Sequence, residues 1–390
     1  MSKIGTGICL PLKKSVSLGA GSAGTLKNCT MKTVKMTYKN IFIDGIMHMG
    51  DMIMTASVFP VLRKHCPEAR ITYLCSANLA FVAELLEGVD EVIPYSYASG
   101  GGYGDVWRIG RNLSRRHFDL GISLDPRERV TLMKWFARIP ERVSMEQALG
   151  WKLGWEKWFY TRDLELPEGW SYQEHSMAAS FQQMMRGFFG DPSVEFIPPR
   201  LKPMAAEQEQ WTQSLLAKAP AGEKKIALCI QTTSRTKDWP VEKFSQVCDW
   251  LVETYGATLY LTGIPSHQER GEAILQGMKH REKVVDLIGK TSFLELTALL
   301  GHMDLLLTLD TGTAHIAAAA GCPVVTLFTF NSPVIYRAPG KYSAGVSGHL
   351  PCSGKHICIG PSRCPKSDCV DAVTVPMVEV AIEKLFQETA

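Results

Sequence analysis

The sequence has no large charge excess, no long apolar run and no closely spaced cysteine pairs, and each absence removes a class of function. Its 390 residues carry a formal net charge of only +3. Seven of the 42 basic side chains are lysines within Met1–Lys39, a stretch without Arg, Asp or Glu, so the rest of the chain holds 35 basic against 39 acidic groups, a net of −4. A mildly acidic body behind a +7 leader lacks the surplus that a protein needs to bind nucleic acid through bulk charge. The longest stretch free of charged side chains after the leader, about Thr311–Tyr336, is interrupted by Gly312, Gly321, Pro323 and Pro333. It reads as helix, turn, strand and loop, not as a membrane span. The leader has no apolar core of a secretion signal, since Ser15–Leu26 is mostly Gly, Ser and Ala, so the cytoplasm is the expected compartment. With 45% hydrophobic and 21% charged residues, the chain has ample material for two packed domains.

What is present is an alternation of strands and helices. After a leader spanning 1–38, the apolar run Asn40–Asp44 predicts a strand, and Asp51–His65 has helical periodicity with Ile53, Val58, Val61 and Leu62 on one side. Strands at Ile71–Cys75, Glu91–Pro94 and Asp119–Leu124 alternate with helices near Asn78–Glu87, Asp105–Arg116 and Arg129–Arg138. A Trp-rich irregular stretch, with Trp151, Trp155, Trp158 and Trp170, is expected to close a core or to stack on sugars; a helix near His175–Phe189 then reaches the Pro-rich joint Pro198–Pro203. Beyond it the pattern repeats, with strands at Lys225–Ile230, Thr258–Leu261, Val284–Leu287, Asp304–Leu309 and Pro323–Phe328, and helices at Val241–Tyr255, Gln268–Met278, Phe293–Gly301 and Thr313–Ala320. The expected architecture is α/β, with two doubly wound Rossmann-like domains at 39–198 and 199–374 and a closing helix in 375–390. Ligands of such sheets bind beyond the carboxyl ends of the strands, here in a cleft between the domains.

Three segments carry chemistry. Asp310-Thr311-Gly312-Thr313 follows an apolar strand and opens the small-residue helix A-H-I-A-A-A-A-G. The first amides of that helix lack intrahelical partners and carry the positive end of its dipole, which suits a diphosphate; His315 stands in the first turn. The alternative is that Asp310 and Thr311 cap the helix and His315 is a packed polar residue. In T-T-S-R-T-K-D-W-P, the hydroxyls of Thr232 and Thr233 and the ammonium of Lys237 can wrap one phosphate; without the glycine spacing of a Walker loop, an NTPase is disfavoured. Asp51, after Gly50, is either a helix cap or a carboxylate that takes the proton of an attacking hydroxyl.

These segments, in this order, resemble glycosyltransferase family 9, the heptosyltransferase-like family. The resemblance rests on G-D-M-I-M-T-A-S-V-F-P-V-L-R-K-H-C-P at 50–67, on T-T-x-x-x-K-x-W-P at 232–240 and most specifically on D-T-G-T-A-H-I-A-A-A-A-G-C-P at 310–323, and it spans about residues 38–386. It implies a GT-B fold with the acceptor site in the first domain and the nucleotide-sugar site in the second. It implies inverting transfer of heptose, usually from ADP-heptose, onto a lipopolysaccharide-core or other glycan acceptor, with no metal required for catalysis. Asp51 becomes the candidate base and Lys237, with Thr232 and Thr233, the diphosphate clamp, while Asp310, Thr311, Gly312, Thr313 and His315 hold ribose and phosphates. A nucleotide-sugar epimerase, or a nucleotide-sugar-binding protein without turnover, would share these features.

The chain departs from the family pattern in places. Gly45-Ile46-Met47-His48-Met49 replaces an Arg- and Ser-rich turn, which makes His48 a candidate to assist the base and meet the acceptor. Pro265 stands where a ribose-binding carboxylate is usual, and Thr329-Phe330-Asn331 replaces a glycine. Arg127 and Arg129, at the end of a strand, are candidate acceptor contacts or simply solvated residues. Of eleven cysteines, seven are scattered, and Cys75, Cys229 and Cys248 lie in apolar runs as expected core residues. Cys352, Cys358, Cys364 and Cys369 are spaced too loosely for a zinc ribbon; free thiols, disulfides and a structural zinc or iron all remain open, the last resembling a cysteine-rich motif of the family's autotransporter branch. The +7 leader lies outside the matched region and suits peripheral contact with the anionic inner membrane surface, where lipid-linked acceptors reside.

Overall fold

The computed structural model describes residues 38–45, 48–96, 102–124, 127–145, 154–171, 174–232, 237–329, 331–348, 350 and 368–389. Two six-stranded sheets dominate it. The first half runs β1 (Asn40–Gly45), α1 (Met49–Thr55), α2 (Val58–His65), β2 (Arg70–Ser76), α3 (Ala80–Leu85), β3 (Glu91–Tyr95), α4 (Tyr103–Leu113), β4 (Leu120–Ser123), α5 (Glu128–Phe136), β5 (Glu141–Ser144), β6 (Arg162–Asp163) and α6 (Met177–Phe189). The second runs α7 (Ala206–Lys218), β7 (Lys225–Cys229), α8 (Val241–Tyr255), β8 (Thr258–Thr262), α9 (Gln268–Gly277), β9 (Val284–Asp286), α10 (Phe293–Gly301), β10 (Leu305–Leu309), α11 (Gly312–Ala319), β11 (Val324–Phe328), β12 (Ser343–Ser347), α12 (Asp368–Asp371) and α13 (Val375–Thr389).

Every strand pair is parallel, in the orders β3-β2-β1-β4-β5-β6 and β12-β11-β10-β7-β8-β9. Both are the doubly wound order, whose direction reverses beside β1 and beside β7, and a crevice opens at each reversal. The central strands are apolar on both faces because helices cover both, as I-F-I in β1 and L-L-L-T-L in β10 show. Among the described residues no helix is long and apolar enough to cross a membrane.

The helix expected over Asp51–His65 is two helices, and the cause is Pro60. A proline cannot donate to the carbonyl four residues back and its ring crowds that carbonyl, here Ala56, so the chain turns at Ala56-Ser57 and Pro60 falls in the first turn of α2. α6 pins the turn: Ser57 Oγ donates to Ala178 O at 2.7 Å and Gln182 Nε2 donates to Ser57 O at 2.9 Å.

The Trp-rich stretch also differs from a closed core. Trp155 and Trp158 are exposed, whereas Trp170 is tied into the fold, stacked on His175 at 3.8 Å and donating from Nε1 to Ser180 Oγ at 2.8 Å. Trp151 lies outside the described residues. Cys75, Cys229 and Cys248 are buried as expected, and burial raises each thiol, that of Cys75 to about 12.

Beneath the carboxyl end of β1 sits a buried ion pair. Asp44 and Lys134 are both fully enclosed and paired, and Lys134 also donates to Ser123 Oγ. Tyr160 OH closes the group, 2.8 Å from Ser123 Oγ and 2.7 Å from Thr131 Oγ1. Burial raises the Asp44 carboxyl, while the Lys134 ammonium and the Ser123 hydroxyl work against that rise.

Candidate functional site

α1 follows β1 and α11 follows β10, so both helices start at the carboxyl ends of their sheets, and they pack against each other across the two halves. The contact is made by glycines. A Cβ on Gly50 would lie 2.9 Å from His315 Cδ2, and a Cβ on Gly312 would lie 2.9 Å from Met49 Sδ. Only hydrogen fits at either place, so each helix start is seated in the other. This brings the first-half candidates Asp51 and His48 to the second-half candidates Asp310 and His315.

Asp51 is the third residue of α1, where His48 is the N-cap. Its side chain is 36% exposed, open to a ligand yet partly withdrawn from water. His48 Nδ1 lies 3.6 Å from Asp51 Oδ2, and the His48 ring is almost fully exposed. Burial pushes the Asp51 carboxyl up; His48 pulls it back through charge and hydrogen bonds, and the Asp310 carboxylate adds to the rise. A raised carboxylate is a better proton acceptor than a free one.

On the other side, Asp310 directly follows β10, and its Oδ2 accepts from Asn331 Nδ2 at 2.5 Å and pairs with Lys237 Nζ at 3.5 Å. Thr311 is the N-cap of α11, but its side chain makes no capping hydrogen bond. The reading that Thr311 caps α11 therefore lacks its hydrogen bond among the described residues. Thr313 Oγ1 lies 3.8 Å from the buried Cys229 thiol. Thr232 is buried and its N–H donates to Asp238 Oδ1 at 2.9 Å, which shapes the turn toward Lys237; Thr233 lies outside the described residues.

His315 is 5% exposed and its Nδ1 has no hydrogen-bond partner. Burial lowers its basicity to about 4, against a smaller opposing pull from Asp310, so the ring is neutral at pH 7. A neutral imidazole can donate or accept without adding charge beside Asp51.

Two residues here escaped the sequence reading. Asn331 holds the Asp310 carboxylate from a loop marked only as a departure from the family pattern. Tyr336 is half-buried, and burial first, then the carboxylates of Asp51 and Asp310, raises its phenol. Neither has a local signature; both lie in the loop after β11, and only the three-dimensional return of that loop reveals them.

Arg127 is the N-cap of α5 and Arg129 stands in its first turn, one strand over from β1. Of the four C-terminal cysteines, Cys369 is half-exposed in α12, and Cys352, Cys358 and Cys364 lie outside the described residues. Among the described residues no three His, Cys, Asp or Glu side chains gather as a metal site. A cavity of about 870 Å³ lies at the far end of α11, lined by residues such as Arg200, His302, Ala319 and Tyr342, away from Asp51.

The family model for glycosyltransferase family 9 (heptosyltransferase) matches residues 106–357. The chain is 27% identical over 297 residues to lipopolysaccharide heptosyltransferase 3 of Escherichia coli K12, covering 74% of this chain and 82% of that one. It is 22% identical over 357 residues to lipopolysaccharide heptosyltransferase 2 of the same strain, covering 89% and 97%. Its fold is similar to the crystal structure of a family 9 glycosyl transferase from Veillonella parvula DSM 2008, with TM-score 0.75 and 22% identity over 90% of this chain and 98% of that one. It is also similar to E. coli ADP-heptose lps heptosyltransferase II, with TM-score 0.68 and 19% identity over 90% and 100%. The architecture is thus GT-B, two Rossmann-like domains facing each other.

Proposed function

Because the chain belongs to glycosyltransferase family 9, we propose that it transfers heptose from ADP-heptose, with inversion, to a sugar hydroxyl of a lipopolysaccharide-core or other lipid-linked glycan in the cytoplasm. The observation that carries this reading is the approach of Asp51 to the Lys237–Asp310–His315 group, imposed by the seating of α1 on α11.

The chemistry follows from the charges. The acceptor oxygen attacks the anomeric carbon while the bond from that carbon to the diphosphate breaks on the opposite face, which inverts the centre. The hydroxyl is a weak nucleophile until its proton leaves, and Asp51, kept basic by burial, takes it. The departing diphosphate gains negative charge as the bond breaks. Lys237 and the uncapped amides of α11 stand ready for that charge, so no metal is needed at the reacting centre. Asp310, held by Asn331, keeps Lys237 in place between turnovers. Thr232 and His315 complete the donor pocket, and His48 flanks the base on the acceptor side.

The test is a product analysis with a panel of nucleotide sugars, with and without a heptose-deficient core acceptor. The expected result is nucleotide release that needs both ADP-heptose and acceptor, with the acceptor gaining one heptose of inverted configuration. Free sugar formed without acceptor would convict an epimerase instead. Donor binding without any release would leave a binding protein.

A further inference from the structure

Five of the exposed large apolar side chains belong to one part of the first half: Tyr103 at 58%, Trp107 at 50%, Trp135 at 47%, Trp155 at 46% and Trp158 at 79% exposure. They are structurally joined. α4 and α5 touch so closely that a Cβ on Gly110 would lie 2.5 Å from Phe136 Cβ. Tyr103 OH donates to Glu128 Oε1 at 3.2 Å across the same pair of helices. Trp135 and Trp155 both stand edge-on to Phe159, with centroids 5.5 and 5.7 Å away. The aromatic surface therefore runs from α4 over α5 to the short turn Trp155–Phe159.

Cations are interleaved with the rings. The Arg111 guanidinium lies 5.6 Å from the Trp107 ring, and the Lys157 ammonium 5.6 Å from the Trp158 ring. Arg115 and Arg138 are exposed nearby. Protein interfaces also enrich aromatic side chains and Arg but deplete Lys, and here Lys157 stands against Trp158, the most exposed of the five rings. This surface sets a cation against Trp107 and another against Trp158, which is the chemistry of a lipid headgroup layer: indoles settle at the depth of the glycerol and carbonyls, and long cationic stems reach up to the phosphates.

We propose that the α4–α5 surface, with Tyr103, Trp107, Arg111, Trp135, Lys157 and Trp158, docks on an anionic lipid bilayer. α5 starts at the carboxyl end of β4, so the Tyr103–Glu128 end of this surface is the one that lies toward the candidate acceptor side. The proposal deepens the reading of a lipid-linked acceptor, but its test does not depend on catalysis. Any attraction of the +7 leader to anionic lipid would be through charge and involves no tryptophan, so tryptophan signals separate the two contributions.

The experiment uses the full chain and vesicles of phosphatidylglycerol and phosphatidylethanolamine, with phosphatidylcholine vesicles as the neutral control. Binding is followed by co-sedimentation and by quenching of tryptophan emission with lipids brominated along the acyl chain. The expected result is quenching on anionic vesicles only. In Trp107→Ala/Trp158→Ala, quenching is largely lost and affinity falls at least about ten-fold. Arg111→Gln and Lys157→Gln each weaken binding about five-fold. ADP affinity, measured alongside, stays unchanged and shows that the variants are folded. Vesicle binding and quenching retained in the double variant would overturn the proposal. So would self-association of the full chain that the double variant abolishes while vesicle affinity is undisturbed, since the face would then be a contact between copies. If heptose transfer fails but these lipid results hold, the surface stands and the catalytic reading falls.

Discussion

Gly50 of the first half lies directly over the His315 ring of the second, with room for a hydrogen and nothing larger. Gly312 repays the contact against Met49. The candidate base and the candidate diphosphate site thus share one interface, and its spacing is set by two missing side chains.

Adding a methyl at that place tests the arrangement. Gly50→Ala should force α1 and α11 apart, since a contact at 2.9 Å must open, and overpacking of this kind costs about 1–3 kcal/mol. A shift near 1 Å in the reacting geometry is worth up to about a hundred-fold in rate. The expected outcome is a large fall in kcat with a modest loss of Tm, read by steady-state kinetics and thermal melting. Unaltered kcat would show that the two helices do not need this contact.

Asp51→Asn should lower transfer by about 10²–10⁴-fold, the usual worth of general-base help, and leave ADP-heptose affinity within a few-fold. Isothermal calorimetry and single-turnover assays separate the two effects. Full turnover in the variant would remove Asp51 as base.

The pH profile carries a sign. As the proposed base, Asp51 must be a carboxylate, so the rate should fall on the acid side, and burial, which raises this carboxyl, should move that limb upward. Asp310 contributes to the rise, so Asp310→Asn should move the limb to lower pH; His48 opposes it, so His48→Ala should move the limb up. Stability has its own acid limb from His315. The unfolded ring takes a proton near 6.5 and the folded one only near 4, so stability is fully present above 6.5 and drains away as pH falls toward 4. Urea unfolding between pH 7 and 4.5 should lose part of this slope in His315→Gln.

Lys237→Ala should weaken nucleotide-diphosphate binding, because the proposed mechanism gives the leaving group to Lys237, whose Nζ lies 3.5 Å from Asp310 Oδ2. Asn331→Ala should act through Lys237: it frees the Asp310 carboxylate to hold the ammonium more tightly, and so weakens binding by less. Calorimetry with ADP reads both, and equal losses would contradict this ordering.

Lys134→Met leaves Asp44 buried without its cation, and breaking such a pair costs about 3–5 kcal/mol. Adding Asp44→Asn should return much of that loss, because the uncompensated charge goes with it. Denaturant midpoints of the single and double variants are the measurement. A double variant no more stable than Lys134→Met alone would mean that the packing of Lys134, not its charge, matters.

The repeated strand–helix alternation was legible because parallel strands covered on both faces must be apolar runs; α8 and α10 lie where periodicity placed them. Less was legible where type is set by a neighbour. β12, S-A-G-V-S, has no apolar pattern and is a strand because it pairs with β11, and β5 and β6 are short and polar at the opposite edge. α7 went unseen because little of it is buried beyond Thr212. At the candidate site, local motifs pointed to Asp51, Lys237, Asp310 and His315, which the fold brings near one another. Asn331 and Tyr336 were not, since what makes them part of the site is a loop returning from far along the chain.

The ends of the two sheets bear on how the protein survives at high concentration. A parallel sheet left with a long bare margin invites another chain to add a strand. Here one margin is β3, whose exposed Pro94 has no amide hydrogen to offer. Its opposite is β6, two residues long, and the second sheet closes with three-residue β9 on one side and with β12 under α13 on the other. Each margin is thus short, interrupted by proline or covered, so concentrated protein should resist growth by strand addition.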